Sequence, residues 1–176
     1  MKIVGFTTAL LVAVLSVPVF AQESTSQDFQ EFCQAWEGRW VCDMTLATDS
    51  PGIGKKDEKF TAYADCKIAH DGNAMICKGY GGEGSNTWIV VYDAGDKQIK
   101  GLWVTSGGEN SHSILYKKGD KWIEKCHGSQ ADGTKTQVTF EVTITDSGKT
   151  HTWTGTSTIG GKEMDEETNV WHRVNK

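Results

Sequence analysis

The sequence predicts an all-β protein: a single antiparallel up-and-down barrel of about ten strands with a short N-terminal helix. Three observations carry this. From residue 39 onward, short apolar or threonine-rich runs alternate with glycine-bearing turns, and a single amphipathic helical stretch precedes them. The turns "HDGN" (70–73), "AGDK" (94–97), "KKGD" (117–120), "ADGT" (131–134), "DSGK" (146–149) and "IGGK" (159–162) are hairpin signals, because glycine accepts the positive φ such turns demand. Folding the chain about these turns puts an oily face on one side of the meander and a threonine face on the other. A two-faced sheet of that length closes on itself, which hides its edges and its apolar side together.

The first element is a leader. Lys2 gives a positive start, residues 3–20 are mostly apolar, and the stretch ends in Val19-Phe20-Ala21, with small residues at −3 and −1. That is the pattern of a secretory signal peptide over 1–21, leaving a barrel domain over 22–176 and a periplasmic or secreted location. No Cys stands at the cleavage point to take a lipid. No later stretch approaches the roughly 18 apolar residues of a spanning helix, so no membrane anchor is expected. Lys2 is the leader's one charge, so the 18 basic residues fall to 17 against 23 acidic, a net of −6. Such a surface repels phosphate backbones, which argues against a nucleic-acid partner. The sequence carries no signal for oligomeric state.

The helix is expected over 25–36, with Ser24, Thr25 or Ser26 as cap and Phe29, Phe32, Cys33 and Trp36 at i, i+3, i+4, i+7. Gly38 ends it. Beyond it, the six tight turns and three longer connections (48–57, 80–86 and 106–110) join ten strands, and one proline is left to interrupt them. Centring each turn sets the register. Trp88 faces Trp103 and Val90 faces Gly101; Trp103 then faces His112, Ile114 faces Ile123, His127 faces Val138, Val142 faces Trp153 and Ile144 faces His151. The inner face so defined holds Trp88, Val90, Tyr92, Ile99, Trp103, Ile114, Tyr116, Ile123, Val138, Phe140, Val142, Ile144 and Trp153. Trp40, Met44 and Leu46 point inward from the first strand. Trp40 plugs the floor, and Gly38 is the bend that admits the helix beneath it.

Gly38-Arg39-Trp40 after a short helix resembles the opening of the lipocalin-like (calycin) barrels, whose first strand begins G-x-W. The resemblance implies that an arginine near the end of the last strand packs across that tryptophan, and Arg173 in "VWHRV" is the match. The register places His172 inward instead, unless the Gly160-Gly161 turn carries a bulge. More closely, the mature chain is similar to a family of exported bacterial proteins of unknown function with a lipocalin-like barrel. The shared outline is an N-terminal "F…W.G.W" segment, many short hairpins and the ending "EETNVWHR". That family brings no assigned activity.

The five cysteines leave at least one thiol free or paired between chains, and none forms a CxxC pair. Cys66 and Cys77 lie symmetrically about Asp71-Gly72, so they form a cross-strand disulfide or remain two buried thiols. A Cys33–Cys42 bridge would staple the helix to the first strand. Of the histidines, His112, His127 and His151 fall on the expected inner face, where an imidazole can hold haem iron, donate a hydrogen bond or act as acid or base. No H-x-H or H-x-x-x-H spacing supports zinc, so no metal site is expected and no cofactor is assigned. "GYGGEG" (79–84) matches G-x-G-x-x-G, but strand follows where a dinucleotide site needs a helix N-terminus. The acidic run "EMDEE" (163–167) reads as a solvated strand start, and Glu166 is the one carboxylate the register puts inside.

Binding is therefore the leading expectation: an exported barrel holding a small apolar or amphipathic ligand among Trp88, Trp103, Phe140 and Trp153. His112, His127 or His151 would supply the polar contact. Gly101, Gly155, Ala62 and Ala64 are small inner residues that leave room for a cavity. The alternatives are an isomerase or hydrolase using an inner histidine, a haem-binding barrel, and a filled barrel that serves protein interaction. No catalytic signature is present in the sequence.

Overall fold

The computed structural model describes residues 22–174, so the expected signal peptide lies outside the described residues. The helix α1 (Ser26–Trp36) begins with a capping box. Thr25 Oγ1 accepts from Asp28 N at 3.1 Å, and the Asp28 carboxylate accepts from Thr25 N at 2.8 Å. Eleven residues are too few for a stable helix in water, and what holds this one is its buried stripe of Phe29, Phe32, Cys33 and Trp36. Ser24 pins the approach to the helix: its N–H donates to Lys97 O, its Oγ donates to Leu115 O, and Tyr92 Oη donates to its carbonyl.

The strands follow in hairpin order: β1 (Gly38–Thr45), β2 (Lys59–Ala69), β3 (Ala74–Gly81), β4 (Gly84–Asp93), β5 (Gln98–Thr105) and β6 (Asn110–Lys118). They continue with β7 (Lys121–Ser129), β8 (Lys135–Thr145), β9 (Thr150–Ile159), a two-residue β10 (Lys162–Glu163) and β11 (Glu167–Arg173). Each strand pairs antiparallel with its predecessor through β9, and β11 joins β9 to β1. β10 and β11 form one interrupted stave, so the ring closes as a ten-stranded antiparallel barrel with one short helix before it. This is the expected fold class, and it is consistent with a calycin-like fold.

The interruption decides which way the last strand faces. Thr158 pairs with Glu163 and Gly155 pairs with Glu167, so two residues of β9 oppose three of the last stave. This bulge at 164–166 shifts the side-chain alternation by one. The expected location at the Gly160-Gly161 turn is thus corrected. Arg173, not His172, faces inward opposite Trp40, and Glu167, not Glu166, faces the interior.

The other register corrections fall at three turns. Across the 118–121 turn Ile114 pairs with Lys125 and Tyr116 with Ile123, a two-residue shift from the expected Ile114–Ile123 pair that leaves the faces unchanged. The Trp88↔Trp103 and Val90↔Gly101 pairs form as expected. Across the 106–109 turn, however, Trp103 pairs with Ser111 and Leu102 with His112. Across the 130–134 turn, Cys126 pairs with Val138 and His127 with Gln137. The two one-residue slips cancel, so β8 and β9 keep their expected faces and β6 and β7 are turned over. The inward set there is Ser111, Ser113, Leu115, Trp122, Glu124 and Cys126. His112, Ile114, Tyr116, Ile123 and His127 point outward.

The core fills the helix end of the barrel. Phe32, Trp40, Met75, Val90, Ile99, Leu115 and Val142 are fully buried there, with Trp36 packed at a tilt against Trp40 at 5.1 Å between ring centroids. Trp40 Nε1 donates to Trp36 O at 2.8 Å, fixing helix to floor. Arg173 closes the seam. Its guanidinium lies 4.3 Å from the Trp40 ring centroid and donates to Ala35 O, Glu37 O and Gly148 O. The first two carbonyls are at the C-terminal end of α1, where a cation also meets the negative end of the helix dipole. Gly38 is obligatory beside it: its φ is +124°, and a Cβ would stand 2.7 Å from the guanidinium.

Candidate functional site

Above this floor the barrel is hollow. A cavity of about 410 Å³ runs from Trp36 toward the mouth, within the range of small-molecule sites. Its aromatic wall contains Trp88, Trp103, Phe140 and Trp153, the four apolar residues expected to line it, together with Phe60 and Trp171. Trp88 and Trp153 meet edge to face at 5.9 Å, and Phe140 meets Trp153 at 5.5 Å. The cavity owes its volume to two of the four small residues named from sequence. Ala62 and Ala64 line it, whereas Ser113 Oγ and Trp88 Nε1 occupy the space beside Gly101, and the Phe140 ring occupies that beside Gly155.

The histidines do not contribute to it. His112 lies on the outer face of β6, and His127 on that of β7. His151 does point inward but is sealed in the floor, 4.2 Å from the Trp40 ring and 4.5 Å from Trp36. Neither imidazole nitrogen has a hydrogen-bond partner. Burial, with the Arg173 charge adding to it, pushes its pKa down to about 3, so the ring is neutral. No histidine lines the cavity, so the expected imidazole contact, haem ligand and acid–base group are all lacking there. Among the described residues, no group of three or more His, Cys, Asp or Glu is gathered to hold a metal.

The cavity's carboxylates, Glu109, Glu124 and Glu167, are not among the residues the sequence leads one to expect there. Glu124 of β7 is 5 % exposed, between its cross-strand partners Leu115 of β6 and Phe140 of β8. Burial pushes its carboxyl up to about 7, against the opposing pull of the Ser113 hydroxyl and the Cys126 thiol. Ser113 Oγ is itself buried without a hydrogen-bond partner. Glu109, nearer the mouth, accepts from Ser50 Oγ at 3.0 Å, and burial raises its pKa as well. Glu167 accepts from Asn169 Nδ2 at 2.7 Å.

The mouth is partly roofed by residues 46–58. Leu46, Ala47, Thr48, Ser50 and Ile53 of this connection line the cavity. The connection lies backbone to backbone on the 82–84 and 106–108 turns, where Glu83 N donates to Ile53 O at 2.9 Å. Glycine is required at the contact, since a Cβ at Gly107 would fall 1.5 Å from Pro51 O.

Cys66 and Cys77 are joined by a disulfide that forms part of the cavity wall, with Cα atoms 3.9 Å apart. Cys33 and Cys42 are not bridged. Both are buried free thiols, pushed up to about 12 and about 11 by burial, and Cys126 is a third. Among the described residues no helix is long and apolar enough to cross a membrane.

No protein-family model matches this chain, and no curated protein matches it significantly.

Proposed function

We propose that this protein is an exported barrel that binds a small apolar or amphipathic molecule. The observation that carries this is the cavity: about 410 Å³ of space above a packed floor, walled mostly by apolar surface in which aromatic rings are prominent. Barrels of about eight strands are just narrow enough for side chains to fill, and a wider one can leave room for a small ligand. Here the chain spends Ala62 and Ala64 at positions where larger residues would close the space. The leader pattern over 1–21 and the resemblance to an exported bacterial family support export to the periplasm or beyond. The alternatives that rely on an inner histidine, whether enzyme or haem carrier, lose the group they need.

Five tryptophans line the cavity, so intrinsic fluorescence reports its filling. Titrating 1-decanol into the mature chain should shift that fluorescence saturably, with one molecule per barrel. Ala64→Phe, which puts a ring into the cavity, should abolish the change while the protein stays folded. Saturation undiminished in that variant would place binding elsewhere, and no saturation of the wild type by 1-decanol, decylamine or decanoate would refute the reading.

A further inference from the structure

The cavity has a one-sided electrostatic character. Among the described residues Glu109, Glu124 and Glu167 line it, and no lysine, arginine or histidine does. Two of the three carboxylates already have neutral partners, Ser50 for Glu109 and Asn169 for Glu167. Glu124 has no ion-pair partner among the described residues, although it is the deepest in apolar surroundings. Burying an uncompensated carboxyl between a leucine and a phenylalanine costs stability, and an apolar side chain there would remove that cost. What the position gains from a carboxyl must therefore come from outside the protein.

An anionic amphiphile such as a fatty acid would bring a further carboxylate into a cavity that contains no cation to receive it. A cationic head does the reverse, because it restores charge balance at Glu124 in a low-dielectric site where the attraction is strong. At about 30 Å³ per water-sized unit, the 410 Å³ cavity holds about a dozen non-hydrogen atoms. We infer that the cavity takes a single-chain lipophilic amine, its ammonium head paired with the Glu124 carboxylate and its alkyl chain among Trp88, Trp103, Phe140 and Trp153. This rests on the proposed binding function and specifies the ligand's head group.

Three probes of equal chain length separate the two levels: decylamine, 1-decanol and decanoate, each titrated into the mature chain near neutral pH. Decylamine should bind about tenfold or more tighter than 1-decanol, as a charge-assisted contact requires, and decanoate should bind weakest. Glu124→Gln should lower the affinity for decylamine by about tenfold more than it lowers that for 1-decanol. If 1-decanol or decanoate binds as tightly as decylamine, the head-group assignment fails while the binding function stands. If none of the three binds, both fail. The wild-type ranking is decisive even if the Glu124 variant does not fold.

Discussion

His151 and Glu124 set opposing pH dependences on stability, and the two nearly cancel. His151 is held at about 3 in the folded chain against an ordinary 6.5. Its folded pKa is depressed, so the unfolded chain binds more protons between those values, and stability falls as pH drops through 6.5. Glu124 is held at about 7 against 4.5, so there the folded chain binds more protons, and stability rises as pH drops from 7 toward 4.5. Integrating each titration from about pH 7 to about pH 5 gives a loss of about 2 kcal/mol from His151 and a gain of about 2 kcal/mol from Glu124. The wild type should therefore show little pH dependence from this pair.

Single substitutions expose the hidden terms. His151→Phe keeps an aromatic ring packed beside Trp36 and Trp40 but cannot take a proton, so its stability at about pH 5, relative to about pH 7, should exceed the wild-type difference by about 2 kcal/mol. Glu124→Gln should fall short of the wild-type difference by about the same amount, and the double variant should return close to it. Urea unfolding at the two pH values measures this directly, and the comparison is internal to each variant, so any change in packing drops out. A His151→Phe pH difference indistinguishable from wild type would mean that the folded chain protonates His151 freely. The sealed floor would then be wrong.

Other consequences are simpler. Arg173→Met removes three hydrogen bonds and the contact with Trp40, and should cost about 2–3 kcal/mol in urea unfolding; Arg173→Lys should recover little, since an ammonium cannot span the same carbonyls. Replacing both Cys66 and Cys77 by Ala opens the loop that the disulfide closes across 11 residues, at a cost of about 3 kcal/mol, read as a lower unfolding midpoint that reductant no longer changes. Gly107→Ala should push residues 46–58 off the 106–108 turn, seen as faster amide exchange at Glu83, whose N–H is bonded to Ile53, with strands β7–β9 unaffected.

The fold was legible because its signals are redundant. Six glycine turns and a long apolar–threonine alternation specify a closed meander even where a register is misread. The helix was legible for the same reason, since capping residue, spacing and Gly38 agree. The site was half legible. Trp88, Trp103, Phe140 and Trp153 lie on strands whose inner face is plainly apolar. β6 and β7 mislead because their outer residues Ile114, Tyr116 and Ile123 are more apolar than the inner Ser111, Ser113 and Glu124. Centring the 106–109 and 130–134 turns is off by one residue at each, and the oilier side of the hairpin then faces inward, so the pattern gives no warning that His112 and His127 are on the wrong face. The polar inner wall that defeats the pattern is the same wall that gives the cavity its chemistry. The bulge at 164–166 was invisible because "EMDEE" has no glycine and no alternation to mark it.

The most direct test of the binding function is native mass spectrometry of the mature chain, purified from a bacterial periplasm without detergent and compared with its denatured mass. The expected result is a bound molecule of about a dozen non-hydrogen atoms, lost on denaturation, on a polypeptide that begins at Gln22 and is two hydrogens lighter for its one disulfide. A native mass equal to the bare chain, with no uptake of decylamine or 1-decanol added afterwards, would contradict it.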